Sequence, residues 1–226
     1  MKPIYQTAVF DLDGTLLDTL EDLYRATNQA LERHGLPTRT RDEVRMFVGN
    51  GVETLIRRAV PAQTEEAVIQ AVLADFKGIY AEICRDNTAP YPGILKMLTD
   101  LRSAGVRTAV VSNKFDAATK QLCAKYFGDL VEVAIGERAG VRKKPAPDTV
   151  FEALKELGVT AESRGEGRAK GAVYIGDSDV DIQTAKNCGM DCISVTWGLR
   201  DEGFLVENGA TTLVRNPEDL LGVIIV

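Results

Sequence analysis

Short β-branched or apolar runs alternate with stretches of helical period along most of this 226-residue chain. Ala8–Phe10, Arg107–Val111, Ala172–Ile175 and Cys192–Val195 read as strands, with weaker runs at Val131–Ile135 and Thr212–Val214. Between them, Ile94, Leu95, Leu98 and Leu101, and later Val150, Phe151, Leu154 and Leu157, recur at a spacing near 3.6 and predict helices. Gly105 and Gly158 stand where helix-ending glycines belong. This alternation predicts an α/β fold, an open parallel sheet with helices over both faces.

One stretch departs from the pattern. From about Leu17 to Asn87 no strand-like run occurs, and three helix patterns follow one another. The first is Leu20, Leu23, Tyr24, Thr27, Ala30 and Leu31; the second is Val52, Leu55, Ile56 and Ala59. The third, Val68, Val72, Phe76, Ile79, Tyr80 and Ile83, follows a predicted cap at Thr64 with Glu65 and Glu66 in the first turn. A helical block between the first two strands is an inserted domain. The expected division is a sheet domain of residues 1–16 and 89–226 and a helical domain of residues 17–88, with Tyr91-Pro92-Gly93 marking the return. Ala161–Gly171, rich in glycine and charge, reads as an exposed loop without a chemical role.

Composition narrows the class. Hydrophobic residues make up 45% and charged residues 27%, as in ordinary soluble globular proteins. A net charge of −6 argues against nonspecific nucleic-acid binding, which relies on a clustered basic surface. No apolar run approaches the roughly 20 residues that span a bilayer, and Met1–Gln6 lacks the apolar core of a signal peptide. Cys84, Cys123, Cys188 and Cys192 form no Cys-x-x-Cys pair, and His34 has no second histidine to complete a zinc site. Cys188 and Cys192 read as packing thiols, and a reducing, cytoplasmic location is expected.

Candidate chemistry lies where strands end, since ligands of open parallel sheets bind at the carboxyl ends of the strands. Asp11-Leu12-Asp13-Gly14-Thr15 follows the first strand. Gly14 lets the chain turn sharply and bring both carboxylates toward one point. One carboxylate can attack phosphorus while the other gives and takes a proton. The plainer reading is an acidic turn with Asp13 or Thr15 as a helix cap. Ser112-Asn113-Lys114 follows the second strand, Lys143-Lys144-Pro145 precedes a later helix, and Gly176-Asp177-Ser178-Asp179-Val180-Asp181 follows the fourth. Phosphoryl transfer needs this inventory, because its catalysis is mostly positioning and charge compensation. Asp11 and Asp177 are hard oxygen ligands for Mg²⁺, a lysine is a compact positive charge, and Ser112 offers a hydroxyl and nearby N–H groups.

In order and over essentially the whole chain, Asp11-x-Asp13-Gly14-Thr15, Ser112, Lys144 before Pro145, and Gly176-Asp177-x-x-x-Asp181 resemble the four motifs of the haloacid dehalogenase superfamily. The resemblance implies a Rossmann-like core with an inserted helical cap and an Mg²⁺ cofactor. It makes Asp11 the nucleophile and Asp13 the general acid/base, with the Asp13 backbone carbonyl on the metal. Ser112 and Lys144 then hold the phosphate, Asp177 is a metal ligand, and Asp181 supports the metal's surroundings or Lys144. The insertion resembles the cap of the subclass containing phosphoglycolate phosphatases and β-phosphoglucomutases. Asp13 distinguishes the chain from the true dehalogenases and the phosphonate-cleaving members, which lack that residue; the first lysine of the insertion is Lys77, within a helix. Phe47–Leu55, Leu16–Thr19 and Ser112-Asn113-Lys114 are similar to phosphoglycolate phosphatase segments.

The expected activity is Mg²⁺-dependent hydrolysis of a small phosphorylated metabolite, with 2-phosphoglycolate first. Pyrophosphate, a sugar phosphate, a β-phosphoglucomutase-like transfer and a catalytically silent phosphate-binding regulator are the alternatives. Gly14, Thr15, Asn50, Gly51, Asn113 and Lys114 are expected to contact substrate, and Arg57 to bind a substrate carboxylate or else to be an exposed helix arginine. His34 reads as a helix-end residue, Trp197 as packing beside the site, and Asp148 and Asp179 as helix-start caps. Neither a nucleic acid nor a membrane is expected as partner, and the chain is expected to be a monomer or a homodimer.

Overall fold

A computed structural model describes residues 3–159 and 171–225. In chain order the elements are β1 (Thr7–Phe10), β2 (Leu17–Asp18), α1 (Leu20–Arg33), α2 (Arg41–Phe47), α3 (Val52–Ala59), α4 (Glu66–Ile83) and β3 (Ala89–Pro90). They continue with α5 (Ile94–Ser103), β4 (Arg107–Phe115), α6 (Asp116–Tyr126), β5 (Val133–Glu137), α7 (Asp148–Glu156) and β6 (Ala172–Gly176). The chain ends with α8 (Asp179–Cys188), β7 (Asp191–Val195), α9 (Glu202–Glu207), β8 (Leu213–Val214) and α10 (Pro217–Ile224).

Six strands form a parallel sheet in the order β5-β4-β1-β6-β7-β8. Strands run out from β1 in one direction and then from β6 in the other, so the topological switch lies between β1 and β6. A crevice opens there at the carboxyl ends. Side-chain alternation splits the core in two. Ala8 and Phe10, Val110, Val173 and Ile175 face Ile94, Leu98 and Leu101 of α5 and Leu220 and Ile224 of α10. Val9, Ala109, Val111 and Tyr174 face Val150, Ala153 and Leu154 of α7 and Ala185 and Cys188 of α8. Each strand is apolar on both faces because helices cover both.

The helices α1 to α4 pack around a separate apolar cluster that includes Leu23, Leu31, Val44, Leu55, Ile56, Val72, Phe76 and Tyr80. The chain enters and leaves this unit through β2 and β3, which pair antiparallel with Leu17 opposite Pro90. Asp22, fully buried on α1, accepts hydrogen bonds from the Asn87 and Thr88 backbone N–H groups, the Asn87 amide and the Thr88 hydroxyl. The outgoing strand is thereby tied to the first turn of the incoming helix.

Several expectations need correction. Strand β2 lies at the start of the stretch read as free of strands and β3 just beyond its end; two residues are too few to show an alternation. Helix α2 was not anticipated, although its start carries a capping box in which Thr40 and Glu43 exchange hydrogen bonds. Glu65, not Thr64, precedes α4, because the Thr64 hydroxyl and N–H are both spent on the Pro61 carbonyl. Ser178, not Asp179, caps α8, and Pro147, not Asp148, precedes α7; each aspartate is the first helical residue. Strand β4 extends to Phe115 with an irregular register after Val111, and β5 begins at Val133. Of the predicted loop Ala161–Gly171, residues 161–170 lie outside the described residues.

Candidate active site

The loop after β1 is built to bring carboxylates together. Asp11 extends the sheet by one bond, its N–H donating to the Ile175 carbonyl at 2.9 Å. The Leu12 carbonyl then accepts from the N–H groups of Thr15, Leu16 and Leu17, folding the chain into a tight turn. Gly14 has φ +87°, and a Cβ there would stand 2.3 Å from Asp177 Oδ2. Only glycine tolerates both that backbone and that proximity.

Two buried lysines divide the acidic groups between them. Lys144 Nζ lies 2.8 Å from Asp11 Oδ1 and 2.8 Å from Asp181 Oδ1, and 2.9 Å from the Tyr174 hydroxyl. Lys114 Nζ lies 3.0 Å from Asp13 Oδ1 and 2.7 Å from the hydroxyl of Tyr80 on α4, with the ammonium 4.4 Å from that ring's centre. Burial pulls both lysines down, but Asp11 and Asp181 on one side and Asp13 and Tyr80 on the other more than offset it, holding both ammonium groups charged.

Asp11, Asp177 and Asp181 each place a carboxylate oxygen within 4.8 Å of the others. Asp177 Oδ1 accepts from the Thr15 hydroxyl at 3.1 Å and Oδ2 from the Leu199 N–H at 2.7 Å. Asp181 Oδ2 accepts from the Ser178 N–H and hydroxyl. Burial raises the Asp11 carboxyl well above its ordinary range; Lys144 offsets this in part, while Asp181 and Asp177 add to it. Burial, then the Asp181 charge, pushes Asp177 up to about 7. Three buried carboxylates against one lysine leave an excess of negative charge on hard oxygen donors. That donor set fits a divalent cation such as Mg²⁺.

Above these groups is a cavity of about 30 Å³. Asp11, Asp13, Ser112, Asn113 and Lys114 form its sheet side, and Leu23, Val48, Gly49, Gly51, Val52 and Leu55 close it from the helical side. The helical side thus stands directly over the carboxylates and lysine of the sheet side.

The family profile described as haloacid dehalogenase-like hydrolase matches residues 8–195. The chain belongs to this family. Among curated relatives, it is 34% identical over 196 residues to a phosphoglycolate phosphatase of Pseudomonas putida, covering 84% of this chain and 69% of that protein. It is 34% identical over 202 residues to the phosphoglycolate phosphatase of Caulobacter vibrioides, covering 87% and 81%. Among solved structures, a Lactobacillus delbrueckii subsp. bulgaricus protein provisionally named a phosphoglycolate phosphatase superposes with a TM-score of 0.88 at 38% identity, covering 99% of each chain. CbbY of Rhodobacter sphaeroides, in complex with phosphate, superposes with a TM-score of 0.74 at 27% identity and 96% coverage of each.

The four motifs of this family meet at one rim of the sheet here, but not every residue singled out joins them. The Asp13 carboxylate pairs with Lys114 and is not one of the three clustered carboxylates. Thr15 is spent on Asp177. The Asn50 carbonyl accepts from the Thr54 hydroxyl, and it is Gly51 beside it that reaches the cavity. Arg57 points elsewhere: it is exposed and held by Glu53 and Glu66 at 2.9 and 2.6 Å, so it does not line the cavity. Trp197 packs beside the loop and donates to the Thr15 carbonyl. His34 closes α1 and pairs with Asp75. Tyr80, Tyr174 and Ser178 were not singled out. Ser178 carries a signal, the Ser-x-x-Asp capping spacing, whereas the two tyrosines look like ordinary core positions in their patterns.

Proposed function

We propose that this protein hydrolyses 2-phosphoglycolate to glycolate and inorganic phosphate through an aspartyl-phosphate on Asp11. One observation carries the reading: Asp11 and Asp13, each paired with its own buried lysine, share the wall of a single small cavity. A two-carbon molecule bearing a phosphate and a carboxylate matches a small cavity with Lys114 on its wall and Lys144 behind Asp11. The phosphoglycolate phosphatase names of the relatives support the same substrate.

In the first step an Asp11 carboxylate oxygen attacks phosphorus, the bond from phosphorus to the glycolate oxygen breaks, and Asp13 gives its proton to that oxygen. Lys144 and the Ser112 hydroxyl compensate charge on the phosphoryl oxygens. In the second step Asp13 takes a proton from water as the water oxygen attacks phosphorus. The Asp11–phosphorus bond breaks, and phosphate leaves. Lys114 holds Asp13 in place through both steps and offers its remaining N–H to the substrate carboxylate. Leu23, Val48, Val52 and Leu55 exclude bulk water while the helices are closed.

Asp11, Asp177 and Asp181 would hold Mg²⁺, with the Asp13 carbonyl added on family resemblance. When bound it supplies positive charge that keeps Asp11 ionised and offsets the approach of an anionic phosphate. The four free cysteines support a reducing, cytoplasmic setting. No helix among the described residues is long and apolar enough to cross a membrane.

Phosphate release from 2-phosphoglycolate, p-nitrophenyl phosphate, pyrophosphate and β-glucose 1-phosphate, with Mg²⁺ and with EDTA, tests the proposal. 2-Phosphoglycolate should give the highest kcat/KM, EDTA should abolish turnover, and Asp11→Asn should be folded and inactive. Absence of Mg²⁺-dependent turnover on every phosphate ester would overturn it.

A further inference from the structure

Residues 45–50, which run from the end of α2 into the wall of the cavity, have every backbone carbonyl taken by a side chain. Arg200 donates to the carbonyls of Arg45 at 2.8 Å, Met46 at 3.2 Å and Val48 at 2.8 Å. Arg58 takes the Phe47 carbonyl, Asn113 that of Gly49 and Thr54 that of Asn50. Arg58 and Thr54 belong to the helical unit itself. Arg200 and Asn113 belong to the sheet domain, so four of the six carbonyls are gripped across the boundary.

Arg200 is placed to grip. Only 6% of it is exposed, and its guanidinium lies 5.6 Å from the centre of the Phe204 ring. Three carbonyls at the end of α2 present the negative end of the helix dipole to a cation that, among the described residues, has no carboxylate as a hydrogen-bond partner. The preceding residue works on both sides of the boundary. The Leu199 N–H donates to Asp177 of the acidic cluster, its side chain packs into the apolar cluster of α1 to α4, and its carbonyl accepts from Arg45 at 3.4 Å.

We infer that Arg200 is a latch that holds the helical unit closed over the cavity, a positioning residue that acts through residues 45–48. The helical unit forms one wall of this small cavity, so its movement against the sheet domain admits substrate and releases product. The Arg200 bonds cross the boundary that opens, so they break and re-form in every cycle. A protein without them spends more time open. Substrate then binds a less populated closed state, which raises KM by the reciprocal of that population while saturating substrate still restores closure and kcat.

The kinetic arm rests on the proposed phosphatase reading; the exchange arm does not. Arg200→Met should raise KM for 2-phosphoglycolate about tenfold, as expected for a closed state reduced to a tenth, with kcat changed by less than about twofold. Arg200→Lys keeps the charge and reaches fewer carbonyls, so its KM should fall between those of the wild type and Arg200→Met; it also carries the test if Arg200→Met fails to fold. Arg58→Met removes a carbonyl donor from the same segment without crossing the boundary and should leave KM unchanged. Hydrogen exchange of amides 45–52 in the substrate-free protein should quicken in the Arg200 variants. A lowered Tm with unchanged KM and unchanged exchange overturns the latch, as does an Arg58→Met variant whose KM rises as much as that of Arg200→Met. If the wild type turns over no phosphate ester, the phosphatase reading fails, and the latch still stands or falls on exchange.

Discussion

Replacing Lys144 by Met tests the electrostatic logic of the site most directly. Its ammonium touches Asp11 and Asp181 at 2.8 Å each and the Tyr174 hydroxyl at 2.9 Å, and only 3% of the residue is exposed. A methionine fills much of the space and supplies no charge, leaving two carboxylates buried without their cation. Removing one partner of a buried pair costs about 3–5 kcal/mol. For a chain of this length each kcal/mol lowers Tm by about 2–4 °C, so a fall of roughly 6–20 °C is expected in EDTA near pH 8. Protonating the carboxylates relieves the same imbalance, and so does a divalent cation. The deficit should therefore shrink near pH 5.5 or on addition of Mg²⁺. Thermal unfolding by circular dichroism under these conditions reads each effect, and turnover should fall about 10²–10³-fold, the scale for losing one preorganised charge donor. A Lys144→Met protein that melts within about 2 °C of the wild type in EDTA near pH 8 would refute the reasoning.

In EDTA the wild type should lose stability as pH rises. Asp177 binds its proton more tightly folded, at about 7, than at the ordinary 3.8, so its contribution is full below 3.8 and is lost as pH climbs through about 7. Tm in EDTA should decline across that window and flatten in Mg²⁺; a Tm independent of pH in EDTA counts against the raised carboxyl. Tyr80→Phe removes the hydroxyl partner of buried Lys114 and should cost about 1.5–3 kcal/mol in urea unfolding, the worth of a hydrogen bond to a charged group. Asp22→Ala strands the Asn87 and Thr88 N–H groups at about 1–3 kcal/mol each, while Asp22→Asn keeps an acceptor and should lose less by the same assay. Arg57→Ala should leave kcat/KM for 2-phosphoglycolate unchanged, since its partners are Glu53 and Glu66; a large rise in KM would restore it to the substrate site.

The sheet was legible because its strands are apolar on both faces and short, a signal carried by consecutive residues. The same holds for Asp11, Ser112, Lys144 and Asp177. A parallel sheet collects whatever follows its strands at one rim, and the chemistry of these groups is evident from their identity. Helix α2 was harder to see. Its seven residues bury only Val44, so no periodicity marks it. Arg57 misled because bidentate geometry suits a carboxylate of any origin, and the carboxylates that satisfy it sit four and nine positions away in its own helical unit.

The alternation of strands and helices, and the chemical character of the groups that follow the strands, are read from sequence alone, because burial period and residue chemistry are local properties. The partners were decided only in three dimensions. That Asp13 faces Lys114 while Asp11 faces Lys144, that Tyr80 crosses from a distant helix to Lys114, and that Arg200 closes on the carbonyls of residues 45–48 all depend on how two packed units meet. These contacts join residues far apart in the chain, and their strength comes from burial, which no single residue announces.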